Sequence, residues 1–383
     1  MGESSRPKVG LIMTGGGARA AYQVGVLRAL SELLPREIHT PFSIICGTSA
    51  GAINAAVMAV DASNFRRGVR RLMTVWKNFH VHHVYRADPR SALWNSLRWT
   101  LMLLRGGSVD GGPVSFLDNS PLRDLLARYL DFSALQRAID CGDLAAFSIT
   151  CSGYTSGESV TFYQGRPDLQ PWQRARRIGI PMPITIDHLL ASAALPFIFP
   201  PVHINREYFG DGSMRQIAPV SPALHLGADR VFVIGVGRQL QPQRADRISV
   251  GIHPSLAQIA GHALNSIFLD SLEVDLERLQ RINRTLEMIP RELLEKSNYP
   301  LHRVDFRVIT PSEELEKIAV AHRGELPRTI RTLLYTVGAM RRSGANLLSY
   351  LLFERSYCRA LIQLGYNDTM SRKDDLVAFL GWT

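Results

Sequence analysis

Cysteine is scarce in this chain: its 383 residues hold only Cys46, Cys141, Cys151 and Cys358, with no C-x-x-C spacing among them. That excludes a thioredoxin-type redox motif or thiolate zinc site and argues against a disulfide framework. Cys46 and Cys151 fall in apolar runs of buried-strand character, so reduced thiols and a cytoplasmic location are expected. No apolar run reaches the roughly 18 residues of a membrane span. The nearest candidates, 92–104 and 333–353, are broken by Arg98 and by Arg341 and Arg342. No apolar segment of signal-peptide type precedes the first strand, and position 6 is Arg where a myristoylation signal places Ser or Thr. His80, His82 and His83 have no acidic or cysteine partner at ligand spacing, so a surface loop is expected there and no metal. Internal repeats and low-complexity tracts are also missing.

What remains is an ordinary globular composition, 46% hydrophobic and 20% charged, on a chain long enough for one large domain and an appendage. The net charge of +10 is unevenly spread. Between residues 65 and 105, Arg66, Arg67, Arg70, Arg71, Lys77, Arg86, Arg90, Arg98 and Arg105 stand against Asp88 alone, interleaved with Trp76, Trp94 and Trp99. Two readings stay open. The segment either docks peripherally on an anionic membrane, or it is a solvated helix whose apolar side packs on the core. No recognition motif accompanies the charge, so nucleic acid is not an expected partner.

The chemistry concentrates in short motifs. Gly47-Thr48-Ser49-Ala50-Gly51 sits between an apolar run at 42–46 and a helical stretch at 50–60. Strand, sharp turn and helix are the setting of a nucleophile elbow, which lifts a serine Oγ to where a base can reach it. Upstream, a strand at 9–14 runs into Gly15-Gly16-Gly17-Ala18-Arg19-Ala20 and a helix ending near Leu34. Glycines at such a junction expose backbone N–H groups to an anion or a developing oxyanion. The loop alone leaves a dinucleotide pyrophosphate and an ester's tetrahedral intermediate equally open, since its spacing is close to G-x-G-x-x-G with Ala20 in the last place. A third motif, Asp211-Gly212-Ser213, follows the apolar and aromatic run 195–201 and a strand end at 208–210.

Taken in order, the glycine loop, the elbow serine and the late Asp-Gly resemble the patatin-like phospholipase family over residues 7–240, as does the stretch 191–196. The resemblance implies a patatin-like acyl hydrolase acting on carboxylic esters of lipids, without metal or organic cofactor. Ser49 would be its nucleophile and Asp211 its general base. The N–H groups of Gly15, Gly16, Gly17, Ala18 and Arg19 would form the oxyanion hole, with Gly47, Gly51 and Gly212 shaping the motifs. Two positions depart from the family pattern. Ala20 replaces a glycine, which is tolerated unless the backbone there needs positive φ. Ser213 adds a hydroxyl beside Asp211 that can hydrogen-bond the carboxylate and lower its pKa.

Three alternatives differ in class. A Ser, Asp, His triad would draw on His225, His253 or His262, but only about forty residues precede the elbow, too few for the usual strands of an α/β-hydrolase. A nucleotide-binding protein would use the glycine loop and leave Ser49 inert. A weakly active lipid-binding or scaffold protein would fit Ala20 and Ser213.

Elsewhere, strands at 144–151, 159–163 and 230–236 and a helix at 222–226 alternate as in an α/β protein: a mostly parallel sheet sandwiched by helices, with ligands at the carboxyl ends of the strands. The acyl hydrolase domain is set at 7–240, and a mainly helical extension at 250–383 is free to pack on it. Within the extension, 255–286 has one continuous helical pattern whose stripe Leu269, Leu272, Leu276 and Leu279 suits a core or a dimer seam. An edge strand is expected at 304–310 and helices at 326–353 and 358–364. The oligomeric state is left open.

Overall fold

The computed structural model describes residues 7–86, 115, 117–237, 255–296, 302–336, 338–340 and 344–382. The first strand, β1 (Val9–Met13), is fully buried and pairs in parallel on both sides, with β2 (Ile44–Thr48) and β9 (Arg230–Ile234). Outward from β9 lies β10 (Asp305–Ile309), and outward from β2 lies β3 (Ala146–Gly153), both parallel to their neighbours. The sheet then turns mixed. β4 (Ser159–Gly165) runs antiparallel to β3, and β6 (Arg177–Pro181) and β5 (Trp172–Arg174) complete the order β10-β9-β1-β2-β3-β4-β6-β5. A hairpin of β7 (Val202–Ile204) and β8 (Glu207–Asp211) joins the far end of β3 through antiparallel pairing of β8.

Strand residues alternate between faces with period two, and the two cores follow that alternation. Leu11, Met13, Ile45, Phe232 and Ile234 belong to one apolar cluster, while Ile12, Ile44, Cys46, Val231 and Val233 belong to the other. The first face is covered by α1 (Ala21–Leu33), α2 (Ala50–Val60) and α3 (Phe65–Lys77). On the second face lie α7 (Ser221–His225) and α9 (Ser271–Glu287), whose Leu272, Leu276 and Leu279 are buried against the strands. The stripe noted in sequence is therefore core. Between α3 and β3 come α4 (Ser120–Tyr129) and α5 (Phe132–Asp140); α6 (Ile186–Ser192) precedes the β7–β8 hairpin.

The stretch expected as a single helix at 255–286 is interrupted. It comprises α8 (Leu256–Asn265), a π-helical turn (Ser266–Asp270) and α9. After α10 (Arg291–Lys296) and β10, the chain forms α11 (Leu315–His322), α12 (Arg328–Thr336), α13 (Ala345–Leu351), α14 (Arg355–Met370) and α15 (Lys373–Phe379). The helix expected over 326–353 is thus two helices, separated by a turn in which Gly338 takes φ of 85°. α14 packs along α1 at close range: a Cβ on Gly365 would meet the Tyr22 carbonyl oxygen at 2.2 Å, and one on Gly25 the Ile362 oxygen at 2.0 Å. Only glycine allows that approach.

Of the basic segment, α3 is amphipathic, burying Phe65, Val69, Leu72 and Trp76 and turning Arg67 and Arg70 to solvent. Asp61 pairs with Arg67 and Arg71, both at 2.7 Å. Residues 87–105, with Arg90, Trp94, Arg98 and Trp99, lie outside the described residues, as do 238–247 and His253.

Candidate active site

Ser49 and Asp211 are 162 residues apart in sequence, and the strand register brings them together. Thr48, the last residue of β2, pairs with Thr150 of β3; the next residue of β3, Cys151, pairs with Asp211 at the end of β8. Asp211 therefore ends beside the turn that follows β2. Ser49 Oγ donates to Asp211 Oδ2 at 2.6 Å.

Ser49 adopts φ 55° and ψ −131°, a left-handed backbone that non-glycine residues avoid. Such strain costs about 1–3 kcal/mol and persists only when the surroundings impose it. Here the Ser49 N–H donates to Ser192 Oγ at 2.9 Å, and that hydroxyl donates to the Thr150 carbonyl at 2.7 Å. The Ser49 carbonyl accepts from the Ala52 N–H at 2.9 Å, opening α2. Gly47, Gly51 and Gly212 all sit where a Cβ would strike backbone, against Ala52 Cα at 2.5 Å, the Thr14 oxygen at 2.4 Å and the Thr150 oxygen at 2.0 Å.

Asp211 is wholly buried. Burial pushes its carboxyl up to about 6, against the opposing pull of the Ser49 hydroxyl and of the Ser213 N–H and side chain. The Ser213 N–H donates to Oδ1 at 2.9 Å, so both carboxylate oxygens have a donor. Among the described residues no histidine hydrogen-bonds to Ser49 or Asp211. His225 instead stacks on Trp172, with ring centroids 4.9 Å apart, and burial with Arg174 and Arg177 nearby lowers its pKa to about 4. His262 is exposed on α8, and His80 pairs with Glu354 at 2.8 Å.

The glycine loop passes from β1 into a 3₁₀ turn (Gly17–Ala20) and then α1, next to the elbow. Gly17 takes φ 54°, and a Cβ there would sit 2.3 Å from the Tyr350 carbonyl oxygen. Gly17 and Ala18 open the turn, where N–H groups have no partner within it. The Arg19 N–H, by contrast, donates to the Gly16 carbonyl at 3.1 Å, and the Arg19 side chain turns to Ser349 and Glu316. Of the five residues expected to offer donors, Arg19 uses its own within the loop. Ala20 has φ −64°, so its methyl group imposes no strain.

A buried polar chain ties loop, elbow helix and α3 together. Gln23 Nε2 donates to the Thr14 carbonyl at 2.8 Å. Asn54 Nδ2 donates to Gln23 Oε1 at 2.9 Å and to the Ala20 carbonyl at 3.1 Å. Trp76 Nε1 donates to Asn54 Oδ1 at 2.8 Å.

From Ser49 an apolar cavity, partly open to solvent, extends along α2. Ile53 and Val57 line it at helical spacing from Ser49, together with Leu72, Val75 and Trp76 of α3 and Leu122, Leu125 and Leu126 of α4. Tyr350, Leu351 and Phe353 close another side. These last residues carry no motif, so their place at the site could not be read from the sequence. Ser192 lies in the stretch already noted at 191–196, but a hydroxyl between alanines does not disclose its partner.

The arrangement is a strained serine hydrogen-bonded to a buried carboxylate, beside a glycine loop and in the lining of an apolar cavity. The patatin-like phospholipase family model matches residues 11–224, more than half of the chain and including the glycine loop, the elbow and Asp211. The chain belongs to the patatin-like phospholipase family, whose class of activity is the hydrolysis of lipid esters. A 54-residue stretch is 52% identical to lysophospholipase nte1 of Aspergillus terreus (strain NIH 2624 / FGSC A1156), covering 14% of this chain and 3% of that protein. Among solved structures, VipD from Legionella pneumophila is similar at 14% identity, covering 97% of this chain and 67% of that one, with a TM-score of 0.36. Human GIVD cytosolic phospholipase A2 is similar at 12% identity, covering 100% of this chain and 61% of that one, with a TM-score of 0.46. The chain thus spans under two thirds of the human enzyme and a small fraction of the fungal one.

Proposed function

We propose that the protein is a serine lipid acyl hydrolase in which Ser49 is the nucleophile and Asp211 the general base. The observation that carries this reading is the 2.6 Å hydrogen bond from Ser49 Oγ to a fully buried Asp211, with Ser49 in the lining of an apolar cavity. A carboxylate with an unperturbed pKa near ~3.9 is a weak base toward a serine hydroxyl. Raised to about 6 by burial, Asp211 is better matched to the task and still ionised at neutral pH.

In the first half-reaction the Ser49 oxygen attacks the ester carbonyl while its proton passes to Asp211 Oδ2. The N–H groups of Gly16, Gly17 and Ala18 supply donors for the tetrahedral oxyanion, preorganised as such stabilisation requires. Collapse expels the alcohol, which takes the proton from Asp211 and leaves an acyl-Ser49 ester. Water then repeats the steps: Asp211 removes its proton, the oxygen attacks the acyl carbon, and Ser49 recovers its proton as the fatty acid departs.

The apolar lining suits an acyl chain, with the head group left outside. The solvent-facing Arg70 of α3, which has no carboxylate partner among the described residues, supports peripheral contact with an anionic membrane. No helix among the described residues is long and apolar enough to cross a membrane.

The test is intact-mass labelling with a fluorophosphonate ester, comparing native protein with Ser49→Ala and following short-chain ester hydrolysis in parallel. One adduct and turnover are expected, both lost in the variant. A folded native protein that takes no adduct would overturn the reading.

A further inference from the structure

Arg19 carries a full positive charge into the interior, its side chain only 1% exposed. Burying a guanidinium demands acceptors and a counter-charge. Both come from the far end of the chain. Nη2 donates to Glu316 Oε1 on α11 at 2.7 Å, and Nε donates to Ser349 Oγ on α13 at 2.8 Å. The guanidinium also lies over the Tyr350 ring, 4.0 Å from its centroid.

One of these helices, α13, packs on the glycine loop together with the π turn. Tyr350 stacks on Phe268 of the π turn at 5.2 Å and donates its hydroxyl to Asn265 Oδ1 at 3.0 Å. The Phe268 ring lies against Gly15, where a Cβ would meet it at 2.7 Å, and the Tyr350 carbonyl lies against Gly17. Both ends of the glycine triplet are therefore bounded by groups stacked on, or bonded to, the partners of Arg19. None of these partners falls within residues 11–224, the part matched by the family model.

We propose that Arg19 is a positioning residue: through Glu316 and Ser349 it fastens the glycine loop to the helices beyond residue 255 and so fixes the direction of the Gly16 and Gly17 N–H donors. The inference rests on the hydrolase reading above. Its physical basis is that glycine, unlike other residues, imposes no rotational preference of its own, so a loop of three needs an external hold. Misplacing a reacting or stabilising group by ~1 Å can lower a rate by about a hundredfold. On this account the charge of Arg19 holds the loop and does not touch substrate.

The experiment uses the full chain and measures the rate of Ser49 acylation by a fluorophosphonate, kcat and KM on a soluble short-chain ester, and the melting temperature. Glu316→Gln keeps shape and an accepting oxygen but removes the charge, and Glu316 is a quarter exposed, which favours a folded variant. Ser349→Ala deletes one acceptor and no charge, so it carries the same comparison if the first variant does not fold. Each is expected to slow acylation and kcat by about tenfold or more with KM changed less than about twofold. In an Arg19→Ala background neither change should slow acylation further, because all act through one guanidinium. Wild-type acylation in the folded single variants, or full additivity with Arg19→Ala, overturns the proposal. A native protein that takes no adduct at all overturns the hydrolase reading beneath it instead.

Discussion

The backbone N–H of Ser49 donates to the hydroxyl of Ser192 at 2.9 Å, and that hydroxyl is itself anchored on the Thr150 carbonyl within β3 at 2.7 Å. The bond links the strained elbow to β3, the strand against which β8 sets Asp211, so Ser49 and Asp211 share one support. Ser192→Ala leaves the buried Ser49 N–H without its partner, a loss of about 1–3 kcal/mol where water cannot enter. The expected result is a drop in unfolding free energy of about 1–3 kcal/mol and a fall in kcat of about tenfold with little change in KM, since the loss is of alignment. Urea unfolding and steady-state kinetics on a soluble ester check both numbers. An unaltered kcat would show that the elbow keeps its geometry without Ser192.

With Asp211 as the proposed base, its pKa, raised to about 6 by burial, is expected to set the pH dependence of acylation. The base form is the ionised carboxylate, so log(kcat/KM) should rise with unit slope as pH increases toward 6 and level off above it. Among the described residues no histidine touches either group, so no second ionisation of that kind enters the profile. A profile measured from pH 4 to 9 on a soluble ester, with acylation rate-limiting, gives the midpoint directly. A midpoint near 4 would mean that Asp211 is better solvated than its burial implies.

The same shift has a consequence for stability. The folded-state pKa of about 6 lies above the ~3.9 of an unfolded aspartate, so the folded protein holds this proton more tightly. Stability tied to that proton is fully present below pH ~3.9 and is lost as pH rises through about 6, amounting to about 3 kcal/mol above it. Asp211→Asn is neutral at every pH and avoids that loss. The variant should be inactive yet melt higher than wild type at pH 8, with the gap closing below pH 4. Calorimetric scans of both proteins at the two pH values decide it; a variant that melts lower at pH 8 would mean that the ionised carboxylate is net stabilising in the fold.

Much of this site was legible because its residues sit in chain-local motifs. Gly47 to Gly51 place a serine between a strand and a helix whatever the rest of the fold does, and Gly15 to Gly17 likewise mark the end of β1. The parallel core of the sheet could be read for the same reason: β1, β2, β3 and β9 are apolar runs that each adjoin a helical stretch. Illegible were features that depend on register and long-range packing. The short strands β5, β6 and β7 have weak patterns of their own and exist through their partners, whereas the end of β8 was marked at 208–210. The π turn that brings Phe268 onto Gly15 sits inside an unbroken helical periodicity, so nothing local marks it. The basic position of the glycine loop could be identified in sequence, but the buried destination of Arg19 depends on Glu316 and Ser349, some three hundred residues away.

The cavity along α2 makes acyl-chain length the property most open to redesign. Ser49, Ile53 and Val57 recur at four-residue spacing and so share one face of the helix, all of them lining the cavity. Val57 lies eight residues beyond Ser49, roughly 12 Å further along the axis. A short acyl group bound to Ser49 ends before that point, whereas a long chain must pass it between α2 and the walls of α3 and α4. Val57→Phe adds bulk to a lining that also holds Leu72 and Leu126, and inserting bulk into a packed apolar site costs about 1–3 kcal/mol when the space is needed. The ratio of kcat/KM for palmitoyl to butyryl esters should therefore fall by about tenfold or more, in line with the discrimination available to an apolar pocket. Detergent-dispersed esters of graded length, assayed with both proteins, give the ratio at each chain length and locate the break. A uniform loss across all lengths would mean that the acyl chain leaves the site by another route.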